Sequence, residues 1–286
     1  YAATVADDVY LKHIACPIVF LSPANDFHGR INNVPKALSE IRSAQWRVTC
    51  APHHNHQDTE PFQIAGPLWF DKHLKGAFAF PATPEVILML KTASGVPAFT
   101  VRPDQQVKML SMDVFYTQQG KEEAKDDREN TIARFWHCSS ASRSGDAWTA
   151  DLPLLDTERP LWVFANARYS LDRPAAGAGY YYGVYTATTL NVSSVLRVAS
   201  PAELKAAGVK ATDAPTRLIE PFADGWQKEW FTYDLSGGWP RRTHKLYDPK
   251  WKAPPGAMLA LDVKSEQPNR LVVGLDDYVS EVALAG

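Results

Sequence analysis

The sequence predicts a short α/β segment followed by two all-β sandwich domains. Three observations carry that expectation. The first eighty residues alternate helical and strand patterns. From Ala77 onward, short β-rich runs separated by turn and charge clusters take over, and almost no helical periodicity returns. The chain of 286 residues is also too long for one ordinary domain and comfortable for two or three. With 45% hydrophobic and 22% charged residues it can bury a core. The expected divisions are residues 1–80, 84–167 and 168–286.

In the first block, residues 3–13 carry a helical pattern. Residues 16–22 are a continuous apolar run of strand length, as a parallel strand buried on both faces requires. A polar turn over 23–29 leads to a helix with Pro35 near its first turn and Val34, Leu38 and Ile41 on one face. Residues 45–50 form a second strand. Residues 62–75 read as a helix kinked by Pro67 and ended by Gly76. The order helix, strand, helix, strand, helix belongs to a parallel sheet with crossovers. Two parallel strands cannot bury both faces, so the block is expected to be the end of a larger α/β domain.

Strand-like runs follow at 85–92, 98–101, 107–117, 131–137, 148–152 and 161–167. Their spacing suits a small antiparallel sandwich of Ig-like type. Further runs lie at 193–198, 229–234, 242–247, 258–264 and 270–273, with one short helix at 201–207 before Gly208. A second, jelly-roll-like sandwich is the simplest reading of them. The boundary near 168 is soft, and the two blocks could share a sheet.

Several function classes are disfavoured by composition. The net charge is −2, and 30 Lys and Arg are scattered among 32 Asp and Glu, without the basic stripe of a nucleic-acid binder. The longest uncharged stretch, 174–196, is too polar to span a membrane. The chain opens Tyr1-Ala2-Ala3 with no basic and apolar leader, so any export signal is missing or already removed. A secreted or periplasmic location is expected from the modular β layout alone. Three cysteines are too few for a disulfide scaffold. Cys16 opens one strand and Cys50 closes the next, about 16 Å apart by strand rise, beyond the reach of a disulfide. Three free, largely buried thiols are expected.

Asp26 and His56 carry the chemistry. Asp26 follows the carboxyl end of one parallel strand, and His56 stands six residues past the end of the next. Functional groups collect at the carboxyl ends of such strands. Neighbouring strands run about 4.8 Å apart, so the two loops can bring a carboxylate against an imidazole. That pairing orients a histidine and stabilises its protonated form, which a general base needs. Asp26 read alone is ordinary turn chemistry; the register with His56 is what argues for function.

Pro23-Ala-Asn-Asp26-Phe-His-Gly29 and Ala51-Pro-His-His-Asn-His56, with the helix over 62–76, resemble the C-terminal end of an α/β-hydrolase. They look like its acid loop, its histidine loop and its closing helix, in the manner of acetylxylan-esterase and dienelactone-hydrolase-like members. The resemblance covers about residues 5–80. It implies a Ser-Asp-His triad in which Asp26 orients His56, acting on an ester-bearing small molecule or carbohydrate without a cofactor. No Gly-x-Ser-x-Gly elbow occurs in the chain. The serine is therefore expected from a missing N-terminal half of the same hydrolase, the alternative being that this lineage has lost it. A related peptidase and a non-catalytic carbohydrate-binding or adhesion protein are the alternatives.

His28 and His54 are expected beside the substrate, although His53 and His54 could equally be solvated. A zinc site in His53-His54-Asn55-His56 lacks a second cluster to complete it. His13, His73, His137 and His244 are expected to be structural. Trp226, Trp239 and Trp251 lie in loop contexts and are the candidate sugar-stacking faces, whereas Trp136 and Trp162 should be core. Tyr180-Tyr-Tyr182 is a contact surface or a bulged strand edge. Asp276 and Asp277 are weak candidates for calcium.

Overall fold

The computed structural model describes residues 9–56, 59–121, 131–179, 183–233 and 241–286. The fold is β-rich with few helices. It comprises two units, Tyr1–Lys252 and Ala253–Gly286.

Strands β1 (Ile18–Leu21) and β2 (Trp46–Thr49) lie parallel, with Ile18 opposite Trp46 and Leu21 opposite Thr49. Parallel neighbours need a crossover. Helix α1 (Asn33–Glu40) supplies it and buries Val34 and Ala37. Of the helix expected at 3–13, residues 1–8 lie outside the described residues, and Leu11–His13 is a single 3₁₀ turn.

The helix expected over 62–75 is two: α2 (Glu60–Gln63) and α3 (Ala65–Phe70), the latter widening into a π turn at Asp71–Lys75. The break comes ahead of Pro67. Proline has no N–H to donate to the carbonyl four residues back, at Gln63, and its ring crowds that carbonyl. Gly76 ends the run at φ 62°.

Strands β3 (Glu85–Met89), β4 (Ala98–Arg102), β8 (Ala147–Asp151) and β7 (Ser142–Ser144) form one antiparallel sheet in that order. The second sheet runs β10 (Gly183–Ser193), β9 (Leu161–Gly179), β5 (Met109–Thr117), β6 (His137–Ser140), with β11 (Arg197–Ala199) also on β9. Alternation along β9 feeds two cores, because successive side chains leave opposite faces. Leu161, Val163, Ala165, Ala167 and Tyr169 pack with Phe99, Val101, Ala150 and Leu152 from the other sheet. Trp162 and Phe164 face away and pack with Ala24, Ile31, Cys50 and Trp136. The carboxyl ends of the parallel pair thus lie on the back of the second sheet.

Two expectations are corrected here. No boundary falls at 168, since β9 runs through it without a break. Residues 171–179 were hidden by their Pro, Gly and Ala content. They pair with β10, and their small residues leave room for the Tyr185 ring over Gly177. Among the described residues no separate jelly-roll-like sandwich forms over 168–286. Strands β9, β10 and β11 belong to the sheet begun by β5. The expected strand at 131–137 starts only at its last residue, His137.

Helix α4 (Pro201–Ala206) stands where expected, with Ser200 and Glu203 forming a capping box and Gly208 at φ 73°. The strands expected at 229–234 and 242–247 reduce, among the described residues, to one bridge between Phe231 and Arg242 and a 3₁₀ turn at Lys245–Tyr247. An ion network holds this stretch. Buried Lys245 places Nζ 2.9 Å from Glu220 and 2.7 Å from Glu229.

In the second unit, β12 (Asn269–Leu275) and β13 (Tyr278–Leu284) form a hairpin. Asp276 and Asp277 are its two-residue loop, with Asp276 at φ 49°. Turn chemistry accounts for them. Residues 258–264, expected as a strand, form none. Among the described residues no helix is long and apolar enough to cross a membrane.

The cysteines are free. Cys50 is buried and Cys138 half-buried, its thiol pushed up to about 12 by burial. Cys16 is exposed, against expectation, because it precedes β1 in a bend.

The end of β2 is held by side chains of the sandwich. The Cys50 N–H donates to Ser193 Oγ at 2.7 Å, and the Cys50 carbonyl accepts from Asn166 Nδ2 at 3.0 Å. Ser193 Oγ donates to Asn166 Oδ1 at 2.6 Å, and Asn191 Nδ2 reaches both. All three side chains are buried. Replacing Ser193 by Ala removes one acceptor and one donor from this network. The expected cost is about 1–3 kcal/mol, read as a lower urea midpoint at unchanged slope. An unchanged midpoint would show that the network contributes nothing to stability.

Candidate active site

The acid loop leaves β1 at Ser22 and turns back at once. Asp26 makes that turn, its Oδ1 accepting from the N–H of His28 at 2.7 Å and of Gly29 at 3.1 Å. Ser22 Oγ donates to the Gly29 carbonyl at 2.8 Å and closes the loop. Oδ1 is thereby committed to backbone, and Oδ2 is left to face the next loop.

His56 meets it there, Nδ1 to Asp26 Oδ2 at 3.0 Å. The two loops run side by side, with the Ala24 N–H donating to Ala51 O at 2.8 Å and the Asn25 N–H to His54 O at 2.9 Å. The histidine loop is bent hard. His53 and His56 both adopt left-handed backbone, φ 64° and 54°, which costs a residue with a Cβ about 1–3 kcal/mol unless its surroundings hold it. Tyr233 helps to hold it: its hydroxyl accepts from the Asn55 N–H at 3.0 Å and donates to the Asn55 carbonyl at 3.2 Å.

Exposure differs across the pair. The Asp26 side chain is 7% exposed and that of His56 is 55%. The carboxylate is therefore enclosed while the imidazole opens outward. Among the described residues Asp26 is the only hydrogen-bond partner of His56, and it engages Nδ1. A ring held at Nδ1 by a carboxylate keeps its proton there and offers Nε2 as a base.

The other expected residues fall into place unevenly. His28 is exposed and packs edge-on against His56, ring centres 5.2 Å apart, with Phe27 at 6.3 Å. His54, expected beside the substrate, is buried instead. Its Nδ1 lies 2.8 Å from Pro52 O and its Nε2 3.2 Å from Thr232 O, and Phe231 and Tyr233 cover its ring. Trp251, expected as an open stacking face, is 7% exposed. It stacks on His137 and donates its Nε1–H to Leu218 O at 3.0 Å. Trp226 is half-buried against Phe222 and Trp230. Trp239 and Tyr180 to Tyr182 lie outside the described residues. Trp136 and Trp162 are core, as their apolar settings suggest.

His53 is not solvated either. It is 1% exposed, among Phe135, Phe231 and His244, and among the described residues neither ring nitrogen has a hydrogen-bond partner. Among the described residues no group of three or more metal-ligating side chains comes together.

Asn25, Trp136, Phe231 and Tyr233 are the site residues that sequence reasoning missed. Asn25 stands inside the Asn-Asp pair, where a signal existed. Phe231 and Tyr233 touch the loop from nearly two hundred residues away, which no local pattern reveals. Comparison of the chain with family models, with curated proteins and with solved structures finds no match. The site is therefore read from its own geometry.

Burial sets the pH response of the histidines beneath the loop. Desolvation holds His53 well below the ordinary imidazole range, with His244, His54, His137 and Lys245 adding to it. Desolvation also lowers His54, against its two carbonyl contacts, and lowers His244 to about 4. Folded His244 stays neutral between about 6.5 and 4, where the unfolded chain takes up a proton. Stability is thus present above pH 6.5 and lost as pH falls toward 4, by about 3 kcal/mol from His244 alone. Melting temperatures measured across that window should fall steadily on acidification. A flat profile from pH 6.5 to 4 would contradict the buried, neutral state of these rings.

Proposed function

We propose that Asp26 and His56 are the acid and general base of a hydrolase. The 3.0 Å contact between an enclosed carboxylate and an open imidazole is the observation that carries the reading. In the proposed reaction a serine hydroxyl, supplied by a part of the hydrolase outside this chain, attacks an acyl carbonyl. His56 Nε2 takes the hydroxyl proton, and Asp26 stabilises the imidazolium that results. His56 then returns the proton to the leaving alcohol, and water repeats the sequence to release the acid. The resemblance of both loops to an α/β-hydrolase makes a carboxylic ester, on a carbohydrate or a small molecule, the preferred substrate class.

The two-stranded parallel sheet supports the outside origin of the serine. A pair of parallel strands is half of a layer that normally continues. The competing reading, a carbohydrate-binding protein working through exposed tryptophans, is weakened by the burial of Trp251 and the half-burial of Trp226.

The test uses the complete hydrolase, this chain together with its nucleophile-bearing part, and p-nitrophenyl acetate. His56→Ala should lower kcat by about 10²–10⁴-fold with the melting temperature little changed. Asp26→Asn should lower it by a comparable factor, since the amide presents a donor to Nδ1–H and favours the wrong tautomer. Full activity in His56→Ala would end the proposal.

A further inference from the structure

Asn25 precedes the proposed acid and is 0% exposed. Its side chain does not point toward the reaction site but back into the sandwich. Oδ1 accepts from Trp136 Nε1 at 2.9 Å. Nδ2 donates to Arg134 O at 2.7 Å and lies 3.2 Å from both Ile132 O and His244 Nδ1. Its backbone N–H donates to His54 O in the histidine loop. One residue thus joins the acid loop, the histidine loop and the 132–136 segment that leads into β6.

Trp136 is itself fixed. It is 0% exposed, meets Phe164 of β9 edge-on at 5.0 Å, and lies in one core with Ala24 and Ile31 of the acid-loop region. Its N–H has a defined position because the ring that carries it cannot move. A buried amide with donors and acceptor all engaged is costly to displace. The carboxylate one residue on then inherits its position, and Oδ2 inherits its reach to His56.

We propose that Asn25 and Trp136 are positioning residues of the hydrolase, through which the β-sandwich sets the Asp26–His56 geometry. This rests on the reading of Asp26 and His56 as the acid–base pair. The sandwich is then part of the catalytic apparatus and not only an accessory module. Neither residue touches the reacting atoms; both act through Asp26.

The test needs a readout that loss of packing alone would not move. The imidazole Nδ1–H of His56, held by Asp26, gives a downfield proton signal in ¹⁵N-edited spectra of the 286-residue chain, assigned by its absence in His56→Gln. Trp136→Phe keeps a ring in the core and removes the donor to Asn25, along with some ring volume that the packing control accounts for. It should speed exchange of that proton with water by about tenfold, the factor expected when roughly one hydrogen bond of restraint is lost. Asn25→Ser should do at least as much. Phe99→Leu, in the other core, serves as a packing control: it should lower the melting temperature and leave the His56 signal alone.

An unshifted, equally protected His56 proton in folded Trp136→Phe and Asn25→Ser would overturn the proposal. So would an equal response in Phe99→Leu, which would mark the effect as general loosening. If Asn25→Ser does not fold, Trp136→Phe alone decides. The underlying reading fails separately, by full esterase activity in His56→Ala, an outcome that the exchange rates do not affect.

Discussion

The back of the second sheet holds both loops that form the Asp26–His56 pair, and the remaining geometry depends on that grip. β2 ends at a peptide whose N–H and carbonyl are taken by Ser193 and Asn166. β1 ends four residues before an amide, that of Asn25, anchored on Trp136 and Arg134. In a wide parallel sheet, flanking strands and helices would fix such ends. Among the described residues this layer has two strands, and side chains of a neighbouring β layer take over that work. Two left-handed residues in the histidine loop are affordable for the same reason: the loop is braced from beneath and from the side.

The site is also electrostatically layered. Its surface holds an enclosed carboxylate under an open imidazole. Directly beneath lie neutral, buried histidines and the 3%-exposed Lys245, which is balanced by Glu220 and Glu229. Burial keeps His53 and His244 uncharged near neutrality. The loop therefore rests on a base that stays uncharged where His56 would have to exchange protons. On acidification the base charges at the expense of the fold.

Much of this was legible in the sequence, for identifiable reasons. β1, β2 and the crossover helix follow from apolar runs and from turn residues that are local. Asp26 and His56 followed from chain order and strand spacing, which depend only on parallel pairing. Helix α4 was announced by a short helical run that ends at Gly208. What escaped was non-local or compositionally disguised. The Ala- and Gly-rich half of β9 has no alternation because its small residues leave room for the Tyr185 ring of β10, so a strand read as a boundary. Trp251 and His54 lie in loop-like sequence, yet residues far along the chain cover them. A tryptophan in a Pro- and Lys-rich context signals a loop, and the sequence cannot show that the loop folds inward.

The dual allegiance of β9 has an evolutionary corollary. A sandwich appended to an enzyme as a module can be lost, swapped or duplicated when its seam is a linker. Here the strand at the middle of the sheet sends Val163 and Ala165 into the sandwich's own core, and Trp162 and Phe164 into the core shared with the acid loop. Recombination that replaced the sandwich would replace half of that shared core as well. The two parts are therefore bound to be inherited together, and substitutions at the even-numbered positions of β9 should be answered by changes in the loop that carries Asp26.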